Sequence, residues 1–406
     1  MSRSIGTTIR THLRANDAVQ QSIEWEETVS RLDTDSPLVS PPRPSHRRWW
    51  VAATAAAATL LVVGLLPILL SGEEPPLTAP STTFEVTDVI PVGGQEAMVL
   101  DGALWVANTQ DGSLNRIDLA SRSVTATVDI GGDSRIFVDA AFGAIWVSQI
   151  ENSMVLRIDG STGEVTDTIS VGSRVFRVAA VTEDALWINT EMGLTEIDPQ
   201  TREVVDTFPT GGFFWTLAVD GAIWGYDPDG LTRFDLESRQ ITDFIENPLA
   251  TTESMGVFAD GAIWVPGGDP MITEGDAMII RVDLDTLEVS APIRLGGTSG
   301  APGPGSLVFS GDALWTANSN TIFRVDIATR EVTDVIPIDN RGNVMGGAGL
   351  IWVSHPVDST VTAIDPSSRR VIATISIDGG NKRIVAIGSA VWVITDSAST
   401  RIEPRT

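Results

Sequence analysis

The chain has 406 residues, 42% of them apolar, with 53 acidic side chains against 27 basic ones and a formal net charge of −26. It has no cysteine, which excludes a disulfide framework and a thiolate metal site. Residues 1–48 are nearly neutral, so the remainder is strongly acidic, and a field of that sign argues against nucleic acid as a partner.

In chain order, residues 1–35 read as a short helical cytoplasmic segment in two pieces. Ile5, Ile9 and Leu13 share one face at four-residue spacing, and beyond a cap at Asn16-Asp17 the residues Val19, Ile23, Val29 and Leu32 continue loosely. Residues 36–48 form an extended linker through Pro37, Pro41, Pro42 and Pro44. Residues 49–71 are expected to be one transmembrane helix, because 51–70 is a charge-free run of twenty, enough for the ~30 Å hydrocarbon core. Arg43, Arg47 and Arg48 precede it, Trp49 and Trp50 mark its interface, and Glu73 and Glu74 follow it. The positive-inside rule then places residues 1–48 in the cytoplasm and all that follows outside the cell membrane. A cleaved signal peptide fits less well, since its N-terminal region would be 48 residues long with no clear small-x-small site after the apolar run. Residues 72–83 are a second linker.

From residue 84 onward a repeat takes over. Tryptophans recur at 105, 146, 187, 224, 264, 315, 352 and 392, at intervals of 41, 41, 37, 40, 51, 37 and 40 residues. A period near forty filled with short alternating strands signals a β-propeller. The first unit reads as strands at 98–100, 103–107, 113–118 and 123–130, with turn residues between them. The third strand returns as Arg-Ile-Asp or a close variant. After Trp392 only one further strand fits, at 399–403, so the last unit lacks its fourth. The segment Phe84-Glu85-Val86-Thr87-Asp88-Val89-Ile90-Pro91 copies the fourth strand at 330–337 and is expected to complete it. Residues 84–406 are therefore an all-β, eight-bladed propeller closed by its N-terminal strand, which leaves no blade with a bare terminal edge. The repeated tryptophans are expected in the core between blades.

The pattern Ala103-Leu104-Trp105-Val106-Ala107-Asn108, then Arg116-Ile117-Asp118 and Val124-Thr125-Ala126-Thr127-Val128, resembles YVTN-type propeller repeats and those of virginiamycin B lyase and NHL proteins. The resemblance spans roughly 84–406 and concerns residues that build blades, so it implies a fold more than a function. It is unlike a WD40 array, because no Trp-Asp pair occurs. The lyase family implies a catalytic histidine with a divalent metal. Beyond residue 48 this chain has one histidine, His355, which leaves it as the single weak catalytic candidate. A quinone cofactor is not expected, because the turns at 159–164 and 198–203 lack the docking tryptophan of quinoprotein propellers.

Candidate ligand-binding residues fall on loops joining fourth to first and second to third strands, which share one face around the channel mouth. Phe213, Phe214 and Trp215 place three aromatics where other units carry small or polar residues. The positions nine residues before each tryptophan are Glu96, Phe137, Val178, Trp215, Met255, Ser306, Asn343 and Arg383, a mixed ring suited to a specific ligand. His355 with Asp358 lies on the same face. The fifth unit is about ten residues longer than its neighbours, and Asp269, Glu274 and Asp276 in its extra loop are weak candidates for a divalent cation. No organic cofactor is implied. The expected protein is a monomeric, single-pass, extracytoplasmic binding or scaffold module, with an envelope protein or small molecule at the channel mouth. A propeller lyase or hydrolase using His355 is the alternative.

Overall fold

The computed structural model describes residues 83–405 apart from 133–134, 247–254, 269–276, 297–306, 319 and 339–341, with Asn381 and Lys382 described by backbone alone. The expected tail 1–35, linker 36–48, transmembrane helix 49–71 and linker 72–83 fall, up to residue 82, outside the described residues, as do Asp269, Glu274, Asp276 and Ser306. Among the described residues the regular elements are β-strands, and no helix is long and apolar enough to cross a membrane.

Thirty-two strands, β1 to β32, pair into eight four-stranded antiparallel sheets among these residues. The first blade runs outward from the channel as β2 (Glu96–Leu100), β3 (Ala103–Asn108), β4 (Ser113–Asp118) and β5 (Ser123–Asp129). Burial follows that order. The second strand, Ala-Leu-Trp-Val-Ala, is buried on both faces between neighbouring sheets, whereas β5 alternates and turns mainly to solvent.

The repeated motif is legible as packing chemistry. All eight repeat tryptophans are 2% exposed or less. Trp105 packs on Ile136, Val138, Ile145 and Val147 of the next blade. Arg116 from β4 lies over its ring at 5.9 Å, a contact repeated at 6.0 Å by Arg157 on Trp146 and Arg281 on Trp264. The same arginine donates to a fourth-strand threonine: Arg116 to Thr125 at 2.7 Å, Arg157 to Thr166 at 2.8 Å, Arg233 to Thr242 and Arg324 to Thr333 at 2.6 Å. The aspartate that ends the motif folds the following turn, as where Asp118 Oδ1 accepts from the N–H and hydroxyl of Ser121. Arg-Ile-Asp is thus a building unit.

Closure is as the sequence repeat implies. β1 (Phe84–Ile90) pairs antiparallel with β32 (Ser399–Pro404), outside β31 (Ala390–Thr395) and β30 (Asn381–Ile387), with Phe84 opposite Pro404 and Ile90 opposite Ser399. Arg401 donates to Thr87 at 3.0 Å, so the arginine–threonine contact of a continuous blade is rebuilt across 314 residues. Phe84 meets the buried Trp352 edge-on at 5.4 Å. Turn arginines reach back to carboxylates on the preceding blade: Arg122 to Asp88 across the seam at 3.3 Å, Arg202 to Asp167 at 3.2 Å and Arg369 to Asp334 at 3.5 Å. The arginines of these pairs are about half exposed and their carboxylates largely covered, and with one partner in solvent each pair contributes about 1 kcal/mol or less.

The fifth blade departs from the others at its rim. Its outermost strand, β21 (Ile293–Arg294), has two residues, and Pro292 just before it has no N–H to offer the ladder.

Candidate ligand-binding face

Eight inner strands surround the channel. In six of them a common register runs through the strands, set by the residue paired with the second position after the tryptophan; in the fifth and sixth blades the described inner strand begins opposite the tryptophan itself. Glu96 in β2 pairs with Ala107, Phe137 in β6 (Ile136–Ala141) with Ser148, Trp215 in β14 (Trp215–Val219) with Tyr226, and Asn343 in β26 (Asn343–Gly347) with Ser354. In β10 (Val175–Val181) the register shifts twice, between Val175 and Arg177 and between Val178 and Ala180. Arg177, not Val178, therefore pairs with Asn189 and takes the ring position. Constant spacing from the tryptophan misses this residue, because a β-bulge inserts one position without altering the apolar pattern.

Four charges meet at or just below this level, one from each of four consecutive blades. Arg383 Nη1 lies 2.6 Å from Glu96 Oε2, with the side chains 34% and 13% exposed. Arg177 Nη2 lies 3.6 Å from Asp139 Oδ1, two residues beyond Phe137 on β6. Burial is the largest influence on both acids and pushes their carboxyl groups above the ordinary range, although Arg383 and Arg177 both pull Glu96 down and Arg177 then Arg383 pull Asp139 down. The four groups thus form one interacting set of zero formal charge. The Arg177 guanidinium also stacks on the half-buried Phe137 ring at 5.1 Å, and its Nη1 is 3.8 Å from the sulfur of Met255 before the fifth blade. Asn343 is exposed at the same level on the seventh blade. The mouth is charged along blades eight to three and uncharged at Trp215, Met255 and Asn343.

The aromatic triplet separates by role. Trp215 is 1% exposed and stacks on Tyr226 at 5.3 Å, with the planes 8° apart. Phe213 is 2% exposed, and Asn189 clasps its backbone by donating to its carbonyl at 2.8 Å and accepting from its N–H at 3.2 Å. A Cβ on Gly225 would lie 2.3 Å from the Phe213 ring, so the glycine after Trp224 is the space that ring fills. Phe213 and Trp215 are core residues. Phe214 between them is 53% exposed on the mouth face, together with Met192 at 60% and Met255 at 39%. The sequence held a signal for this: Trp224-Gly225-Tyr226 departs from the usual Trp-Val or Trp-Ile and contains the only tyrosine of the chain.

His355 ends β27 (Leu350–His355) and is 4% exposed. Its Nε2 is 3.0 Å from the Thr362 hydroxyl on β28 (Thr360–Asp365), which lies 3.4 Å from that of Thr374 on β29 (Arg370–Ser376). These residues, with Asp358, Thr360 and Pro337, line a cavity of about 200 Å3. Among the described residues no three histidine, aspartate or glutamate side chains gather as a metal site would need.

No protein-family model matches the chain, and no curated protein matches it. Solved structures do. BamB from Moraxella catarrhalis is similar over 79% of this chain and 100% of its own, with a TM-score of 0.62 at 13% identity. Sqt1 from Saccharomyces cerevisiae is similar over 80% and 99%, with a TM-score of 0.63 at 8% identity. The computationally designed Ika8 protein is similar over 79% and 98%, with a TM-score of 0.63 at 11% identity. At such identities the likeness establishes the eight-bladed fold and nothing narrower.

Proposed function

We propose that this chain is a binding scaffold of the cell envelope, anchored by residues 49–71 with residues 1–48 inside, and that its propeller meets a protein partner through the channel-mouth face. A propeller is a fold commonly used to bind proteins. The observation that carries the choice of face is Phe214, 53% exposed in a loop of the same face that presents Met192 and Met255 and that holds the Arg383–Glu96 and Arg177–Asp139 pairs. Apolar side chains held in solvent by a rigid scaffold mark an interaction surface. The YVTN-like repeat is consistent with this role, since its residues build blades and leave the loops free to vary.

The enzymatic alternative has one anchor, the His355 imidazole beside a polar cavity. A substrate would have to reach a ring that is 96% covered and already bonded to Thr362, so binding is the better-supported reading.

Crosslinking of the intact protein in cells, compared with Phe214→Ala, tests the face. A specific protein captured by the wild type and lost in the variant supports it, and an unchanged capture profile refutes it. Because the chain has no cysteine, topology has its own clean test. An impermeant maleimide should label M192C in intact cells but not S22C, and the reverse pattern would invert the proposed orientation.

A further inference from the structure

We infer that the channel mouth is a clamp for the free C-terminal carboxylate of an extended peptide tail, with Arg177 and Arg383 holding the carboxylate and Phe214 and Met255 taking an apolar side chain next to it. The inference rests on the protein-binding reading above and names what part of the partner is recognised.

The argument begins with an imbalance of donors. Two guanidiniums carry about ten N–H groups between them. Among the described residues the protein offers them one short carboxylate contact at 2.6 Å, one long one at 3.6 Å, a thioether at 3.8 Å and the Phe137 ring at 5.1 Å. Both remain partly open, at 34% and 26% exposure; Glu96 is clearly more covered than its arginine, at 13%, while Asp139 at 23% is as open as Arg177. The available surface of the cluster is therefore rich in donors. A planar, acceptor-only group suits two forked donors best, and a carboxylate is such a group. A phosphate would bring roughly two charges beside Glu96 and Asp139 and into a strongly acidic molecule, which disfavours it.

Continuity supplies the rest. Arg177 is at once the ion-pair partner of Asp139, the cation on Phe137 and the neighbour of Met255, so the charged half of the mouth runs directly into its apolar half. A tail entering from the Phe214 side would lay its last side chain on this apolar part and its terminal carboxylate on the arginines. Phe137 and Met255 pin Arg177 in place before the ligand arrives, which reduces the ordering cost of binding.

The test is a ligand-observed NMR titration of the full chain in detergent with N-acetyl-leucyl-phenylalanine, its C-terminal amide, and 3-phenylpropionate. The acid should bind at least about ten-fold more tightly than the amide, the weight of one or two charge-assisted hydrogen bonds. Arg177→Gln and Arg383→Lys should each remove most of that preference while leaving the amide unchanged. The lysine variant keeps a cation beside Glu96, so folding is preserved while the fork is lost. Equal binding of acid and amide, both abolished by Phe214→Ala, would overturn the carboxylate clamp and leave the protein-binding face standing. Binding of 3-phenylpropionate as tight as that of the dipeptide would overturn the peptide-tail assignment in favour of a small acid. Failure of all three ligands at millimolar concentration would overturn the clamp outright, and the crosslinking result would decide the face independently.

Discussion

Removing Arg383 should expose how the channel cluster is balanced. At 2.6 Å and an effective dielectric constant near 20, the Arg383–Glu96 attraction is about 6 kcal/mol before desolvation. Desolvating the two ions opposes most of that, so the pair as a whole is expected to be nearly neutral in stability. Arg383→Ala breaks the balance, because it leaves the Glu96 carboxylate covered and without its nearest cation. A fully buried case costs about 3–5 kcal/mol. With Arg383 34% exposed and Arg177 still acting on Glu96, we discount that to roughly 2–3 kcal/mol at neutral pH. Adding Glu96→Gln should restore stability to within about 1 kcal/mol of wild type, since no uncompensated charge remains. Loss of Arg383 also removes the largest influence that lowers the Glu96 carboxyl, so its folded-state pKa rises further. The single variant should therefore recover stability as the pH is lowered through that raised value, where Glu96 takes up a proton. Urea denaturation of wild type, both single variants and the double variant at several pH values measures all of this. If single and double variants are equally destabilised at every pH, the loss is packing of the arginine stem and the electrostatic account fails.

Other outcomes follow from the same geometry. Trp215→Ala should cost roughly 3–5 kcal/mol, whereas Phe214→Ala should change stability by less than about 0.5 kcal/mol; thermal unfolding of the two distinguishes core from surface, and similar losses would contradict the separation of their roles. Gly225→Ala should destabilise by more than a typical surface change, because its methyl would lie 2.3 Å from the Phe213 ring, and Phe213→Leu should partly rescue it. Stability should pass through a maximum on the acid side of neutrality. Glu96 and Asp139, raised by burial, bind protons in the folded state that the unfolded chain has released, so lowering the pH toward their folded values stabilises. The Ser161 and Thr162 donors around Asp159, and the Thr286 donors with Arg281 around Asp283, hold those carboxyls down to about 2, so the stability they contribute is present above 3.8 and is lost as the pH falls through 3.8 toward 2. A melting-temperature profile that peaks above pH 7 would contradict the assignment for Glu96 and Asp139.

The propeller was open to sequence reading because its signals are periodic. Tryptophan spacing, Arg-Ile-Asp and the copied strand at 84–91 each recur, and each has one structural cause: a ring filling the space between blades, an arginine spanning Trp and Thr, an aspartate folding a turn. The site was less open, because its signals are not periodic. Glu96 and Arg383 lie in the charged cluster together, but Arg177 was hidden by two register shifts, and Asp139 sits two residues below the level that spacing selects. Phe213 and Trp215 look like loop aromatics in one dimension. They are buried because Gly225 and Tyr226, on the neighbouring strand, make room for one and stack on the other.

Ring closure also sets a timetable. β1 is the first strand of the propeller to be synthesised, yet its partner positions from Ser399 to Pro404 come roughly three hundred residues later. At about 5–20 residues per second, β1 waits some 15–60 s with an open hydrogen-bonding edge. Its sequence suits that wait. Glu85 and Asp88 interrupt the apolar residues Phe84, Val86, Val89 and Ile90, so the idle strand carries charges that discourage pairing with another copy. The same Asp88 afterwards meets Arg401 and Arg122 at the finished seam, one side chain guarding the nascent edge and later fastening it.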